Sequence, residues 1–290
     1  MKKSRKLATL GICSALFLGL AACQQQHATS EGTNQRQSSS AKVPWKASYT
    51  NLNNQVSTEE VKSLLSAHLD PNSVDAFFNL VNDYNTIVGS TGLSGDFISF
   101  THTEYDVEKI SHLWNQKKGD FVGTNCRINS YCLLKNSVTI PKLEKNDQLL
   151  FLDNDAIDKG KVFDSQDKEE FDILFSRVPT EATTDVKVHA EKMETFFSQF
   201  QFNEKARMLS VVLHDNLDGE YLFVGHVGVL VPADDGFLFV EKLTFEEPYQ
   251  AIKFASKEDC YKYLGTKYAD YTGEGLAKPF IMDNDKWVKL

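Results

Sequence analysis

Two side chains in this sequence stand out for the chemistry they could do together. Cys126 lies in Gly123-Thr124-Asn125-Cys126-Arg127-Ile128-Asn129-Ser130-Tyr131-Cys132-Leu133-Leu134, a polar turn that opens directly into a helix. The first turn of a helix carries unpaired N–H groups and partial positive charge, both of which stabilise a thiolate. Arg127 adds a cation beside it. One hundred residues later, His226 stands in Gly225-His226-Val227-Gly228-Val229-Leu230-Val231, which reads as a strand. Its flanking glycines allow close backbone approach. A thiol of lowered pKa with an imidazole base in reach is the equipment for nucleophilic acyl transfer.

Such a pair needs a third group to orient the imidazole, and Glu241 is the leading candidate. Its neighbours Phe239, Val240 and Leu243 are apolar, so a carboxylate there needs a partner. If Val231 pairs with Phe237 across the hairpin, His226 faces Lys242 and Glu241 points away; a one-residue shift or a bulge reverses this. For the oxyanion, the natural donor is the backbone N–H of Cys126, with the Asn125 side chain second and Tyr105 third. The remaining histidines suit the role less well: His102 and His112 lie on the helical side, His214 is next to a turn, His27 is in a polar tract and His68 ends a helix. His189 reads as a surface or packing residue. No metal site and no cofactor are indicated.

The elements that must position these residues fall into two halves. Ser57-Thr58-Glu59-Glu60 reads as a capping box with Ser57 at the N-cap, followed by the stripe Val61, Leu64, Leu65 and Leu69. Asp70-Pro71 stops that helix. A second helix carries Val74, Phe77, Phe78, Val81 and Tyr84, and a third Val107, Ile110, Leu113 and Trp114, with a Gly- and Ser-rich loop from Gly89 to Gly95 between them. The Cys126 helix is apolar most of the way round, as expected of a helix buried on several sides. Glu144 to Phe202 reads as helical, with Phe196, Phe197 and Phe200 inward. Strands are expected at Met208–Leu213, Glu220–Val231, Phe237–Leu243 and Ala251–Phe254, with a hairpin loop over Pro232–Gly236. Ser256 opens a last helix that buries Cys260, and the tail from Tyr271 reads as an irregular wrap.

The N-terminus points to export. Lys2, Lys3, Arg5 and Lys6 precede an apolar core, Leu7 to Leu20, too short for a comfortable span. It ends in Leu20-Ala21-Ala22-Cys23, which resembles a bacterial lipobox; the resemblance implies a signal peptide over residues 1–22 and a lipidated (palmitate-bearing) Cys23. Gln24 to Lys42 has almost no apolar residue and reads as a disordered tether. Three thiols then remain, Cys126, Cys132 and Cys260, so at least one stays free. Cys126 and Cys132 are separated by about 9 Å of helix rise, too far for a disulfide. Losing the four leading cations takes the formal charge from −9 to −13. Plain solubility accounts for that charge. With no basic patch, nucleic-acid binding is excluded.

On Asn125-Cys126-Arg127, His226-Val227-Gly228-Val229 and a polar residue on the next strand, the chain resembles the papain-like NlpC-type superfamily of cell-wall amidases and cysteine peptidases. That resemblance covers a modest part of the chain. The long helical insert before Met208, and Asn125 where such enzymes often carry Asp, depart from it. Taken whole, with Asp120-Phe121-Val122-Gly123-Thr124-Asn125-Cys126-Arg127-Ile128 and Phe239-Val240-Glu241-Lys242-Leu243, the chain resembles an uncharacterised family of lipoproteins from Gram-positive bacteria. The expectations are therefore a signal peptide (1–22), a lipidated Cys23 with its tether (23–43), and one α+β papain-like domain (44–290). That domain has a helical N-terminal half, a central Cys helix and a C-terminal antiparallel sheet. It is expected on the outer face of the cell membrane, anchored through Cys23. There it would act as a cysteine amidase or peptidase on a cell-wall peptide or small amide, with Cys126, His226 and Glu241 catalytic and Asn125 at the oxyanion. The alternative is a non-catalytic binding or accessory lipoprotein on the same fold. A solute receptor ranks lower, because strands and helices do not alternate as two parallel-sheet lobes require.

Overall fold

The computed structural model describes residues 46–101 and 103–290. The expected signal peptide, Cys23, the tether, His27 and His102 lie outside the described residues. In chain order the elements are β1 (Ala47–Thr50), α1 (Gln55–Ser66), α2 (Pro71–Val88), β2 (Ile98–Ser99), α3 (Val107–Lys118), α4 (Cys126–Leu134), β3 (Val138–Thr139), α5 (Phe151–Gly160), α6 (Ser165–Leu174) and β4 (Val178–Pro179). They continue with α7 (Val186–Phe197), β5 (Gln201–Phe202), β6 (Arg207–Asp215), β7 (Tyr221–Ala233), β8 (Gly236–Lys242), β9 (Tyr249–Phe254), α8 (Lys257–Lys267), β10 (Phe280–Asp283) and β11 (Lys286–Val288).

Local chemistry accounts for most of the helix ends. Pro71 opens α2 behind Asp70, whose carboxylate accepts from the N–H groups of Asn72 and Ser73. Ser256 caps α8 through Asp259 N–H. The first helix corrects the expected capping box. Its N-cap is Asn54, whose side chain accepts from Ser57 N–H, and Ser57 is buried within the first turn. Both residues are capping types; Asn54 wins because the chain arrives extended there and stays helical through Ser57.

The main sheet runs β11-β10-β6-β7-β8-β9-β1-β2, with β4 added to β7, and every pair is antiparallel. A separate ribbon joins β3 to β5. The fold is α+β. The tail is a correction: Phe280–Asp283 and Lys286–Val288 are strands that extend the sheet beyond β6, with Lys286–Val288 at its edge, rather than an irregular wrap. β1 was also not foreseen. Strands this short carry too few alternating residues to declare themselves, and β1 and β10 pair with β9 and β6, far away in sequence.

The sheet is covered on both faces. Val227, Val229, Val231, Leu238 and Val240 join the larger core with residues of α1 to α7. Leu230, Phe239 and Ile252 face a smaller core with Cys260, Tyr261, Tyr263 and Leu264 of α8. Close packing between β7 and β8 shows at Gly228, where a Cβ would stand 2.3 Å from Phe239 Cζ and 2.8 Å from the Val240 carbonyl oxygen. The main-chain oxygen cannot swing aside, so Gly228→Ala should destabilise the fold by about 2 kcal/mol through overpacking. Urea unfolding would read this as a lower midpoint at unchanged slope.

Candidate functional site

The site is built outward from the start of α4. Asn125 is its N-cap, with the side-chain oxygen accepting from Ile128 N–H at 3.1 Å. The amide nitrogen of the same side chain donates to Asp153 Oδ1 at 2.7 Å. Asp153 also receives Arg127 Nε at 2.9 Å and a terminal guanidinium nitrogen at 2.7 Å, and the other terminal nitrogen donates to the Val224 carbonyl. A fully buried carboxylate on α5 thus locks both residues that flank Cys126. Further in, Ser130 Oγ donates to the Val227 carbonyl and Tyr249 Oη to Asn129 Oδ1. Eight of the nine residues of α4 are buried, which fits its nearly all-round apolar pattern.

His226 approaches from β7 at an irregularity. Val211 pairs with His226 but Val212 pairs with Val224, so Gly225 is an extra residue in the strand. Two residues apart on a regular strand share a face; the bulge puts Val224 in the larger core and His226 on the other side. The hairpin closes by Ala233 opposite Gly236, and Val231 pairs with Leu238. This corrects the longer loop over Pro232–Gly236 and the Val231–Phe237 pairing considered from sequence. The shift by one places Glu241 on the His226 face, as a diagonal rather than a direct neighbour, and turns Lys242 to the opposite face.

The three side chains meet. The His226 ring adjoins the Cys126 thiol closely enough for each to shift the other's ionisation, and its Nε2 lies 2.5 Å from Glu241 Oε2. Glu241 is ionised, so Nε2–H donates and Nδ1 is the nitrogen left for the thiol. Tyr263 Oη donates to Glu241 Oε1. Lys267 Nζ stands 3.4 Å from both carboxylate oxygens and 2.9 Å from Tyr263 Oη. Tyr268 stacks on the imidazole at 5.1 Å between centroids and 27° between planes.

The electrostatics favour a charged pair. Burial is the largest influence on Cys126 and would raise its pKa, but His226, then Arg127, together hold it below the ordinary thiol value. Burial likewise works against the His226 cation, yet Cys126 and Glu241 raise its pKa above the usual value. The direction for the coupled pair is thiolate and imidazolium. For Glu241, burial is overcome by Lys267 and His226, which hold the carboxyl down at about 2. On the opposite face burial brings Lys242 down to about 7. Its Nζ donates to the carbonyls of Thr244, Phe245 and Glu247 and lies 4.1 Å over the Tyr84 ring, which ties down the β8–β9 loop.

Among the other sequence candidates, the Asn125 side chain is taken up by its cap and by Asp153, so the unpaired donor at the helix start is backbone. Tyr105 Oη accepts from Asn51 and Gln250. His214 bonds Glu220 and the Ala277 N–H, and His189 is buried against it. Cys126, Cys132 and Cys260 are free thiols, and burial raises Cys132 to about 12. Asp153, Tyr263 and Lys267 were missed from sequence. The only local signal was a charged or polar residue on an otherwise apolar helix face. Among the described residues no cluster of His, Cys, Asp and Glu is arranged to hold a metal, and no helix is long and apolar enough to cross a membrane. A cavity of about 430 Å³ lies between Leu52–Thr58 and α2, away from the thiol.

The molecule is thus an α+β protein with a buried Cys-His-Glu chain linking the two sides of an antiparallel sheet. It belongs to a family described as Domain of unknown function (DUF4300), which matches residues 48–288. No curated protein and no solved structure matches the chain.

Asp153→Asn should cost about 3 kcal/mol of stability, because it leaves the Arg127 guanidinium, 16 % exposed, without its counter-charge; denaturant unfolding would measure this. Glu241 predicts an acid dependence. Its carboxyl titrates lower in the folded protein than its ordinary 4.5, so its stabilisation is complete above that value. It is lost as pH falls from 4.5 towards about 2. Glu241→Gln should flatten that part of the stability profile in unfolding experiments run across the acid range.

Proposed function

We propose that this protein is a thiol hydrolase that cleaves amide or peptide bonds at the cell surface, held to the membrane by lipid on Cys23. The observation that carries this reading is the continuous chain from the Cys126 thiol through His226 to Glu241. In the proposed reaction the Cys126 thiolate attacks the carbonyl carbon, and the oxyanion is met by the Cys126 N–H at the start of α4. His226 gives its proton to the departing amine as the C–N bond breaks, leaving a thioester. Water then attacks the thioester carbonyl and gives a proton to His226; the C–S bond breaks, releasing the acid and restoring the ion pair. Glu241 stays ionised and orients the ring. A cell-wall peptide or small amide suits the location the N-terminus implies. The papain-like resemblance rests on the same order of parts, a thiol on a helix start before a histidine on a strand.

One observation favours a second reading, a non-catalytic accessory lipoprotein. Cys126 is 5 % exposed and His226 1 %, with Tyr268 lying on the imidazole. Hydrolysis therefore requires the cover to open for substrate.

Iodoacetamide labelling of the native protein separates the two. For the hydrolase, Cys126 reacts fastest of the three thiols and at a pH well below the ordinary thiol range. His226→Ala then slows it at least tenfold, of the order expected for loss of a general base. Slow labelling that is indifferent to His226 would support the accessory protein.

A further inference from the structure

We propose that Lys267 is a positioning residue of this site: acting through Glu241, it sets the pH range over which Cys126 is nucleophilic. The inference rests on the hydrolase reading and adds a part played by α8, the helix on the far side of the sheet from Cys126.

Charge balance is the first argument. The groups facing one another here are Cys126 and Arg127 on α4, Asp153 on α5, His226 on β7, Glu241 and Lys242 on β8, Tyr105 before α3, and Cys260, Tyr263, Lys267 and Tyr268 in and just after α8. Arg127 and Asp153 neutralise each other as a bidentate pair. Lys242 also acts on Cys126, but its ammonium is bonded to the carbonyls of Thr244, Phe245 and Glu247 rather than to the carboxylate. Without Lys267, Glu241 is left with an imidazolium that it shares with Cys126. An excess charge in that setting is costly. Lys267 gives Glu241 a counter-charge of its own while its side chain stays 28 % exposed at the rim.

Geometry is the second argument. At 3.4 Å from both carboxylate oxygens, Lys267 makes a charge contact with no preference between them. Its short bond, 2.9 Å, goes to Tyr263 Oη. By filling a lone pair of that oxygen it turns the hydroxyl proton towards Glu241 Oε1. Oε2 is then left for His226 Nε2. Lysine and tyrosine four residues apart on one helix thus hold the carboxylate in the orientation the imidazole needs.

The experiment is a pH profile of iodoacetamide reaction at Cys126 in the full-length protein, for wild type, Lys267→Met and Lys267→Arg, with a thermal melt on each to confirm folding. Removing the cation makes the cluster more negative and favours protonation of the thiolate. In Lys267→Met the acidic limb should therefore move up by roughly one pH unit, a tenfold loss of rate on its acid side. Lys267→Arg should restore the wild-type limb. A Lys267→Met limb that superimposes on wild type overturns the inference, as does an arginine variant shifted as far as the methionine one. A purely structural role would reduce amplitude or melting temperature without moving the limb. Failure of the hydrolase reading would show separately, as slow wild-type labelling indifferent to His226→Ala.

Discussion

The structure turns on one buried imidazole held between a thiol and a carboxylate. His226 is 1 % exposed, touches Cys126 on one side and stands 2.5 Å from Glu241 on the other. Three ionisable groups out of water are tolerable only when each charge has a partner. That requirement explains features that otherwise look unrelated. Glu241 needs Tyr263 and Lys267, the start of α4 needs Arg127, and Arg127 in turn needs Asp153. These partners come from three helices, so α4, α5 and α8 are all tied to the two central strands.

The sheet makes the meeting possible by being irregular at one place. The thiol belongs to the core on the α4 face, and Glu241 is bonded to α8 on the other. A regular β7 would keep His226 on the face of Val224. The extra residue at Gly225 breaks that alternation just before the histidine. The β7–β8 ladder ends at Val229 and Val240, so beside His226 there is no continuous wall of sheet between the faces. The same construction closes the site. Tyr268 covers the ring, and a thiol 5 % exposed is protected from casual oxidation as well as from substrate.

Much of the scaffold was legible along the chain. The stripes of α2 and α3, the burial of α4, the cap of α8 and the strands β6 to β9 follow from periods and capping residues a few positions apart. Departures came where two local solutions compete or where the stabilising partner is remote. Asn54 and Ser57 are both good caps, and the chain's path chose the first. β1 and β10 are satisfied by residues far away in sequence, and β11 only by folding back on β10. The hairpin register depended on whether the turn used two residues or more, and a shift of one exchanges Glu241 for Lys242 beside the histidine.

What the sequence by itself determined is the thiol at a helix start, with its capping asparagine and neighbouring arginine, because helix N-termini are made by residues within one turn of each other. It also marked His226 and Glu241 as strand residues of unusual polarity. Tertiary structure decided that these two share a face, that the imidazole reaches the thiol, and that Asp153, Tyr263 and Lys267 balance the charges. The reason is physical. A strand's facing changes with a single extra residue, and the cost of a buried charge is met by whichever distant side chain the packing brings within reach.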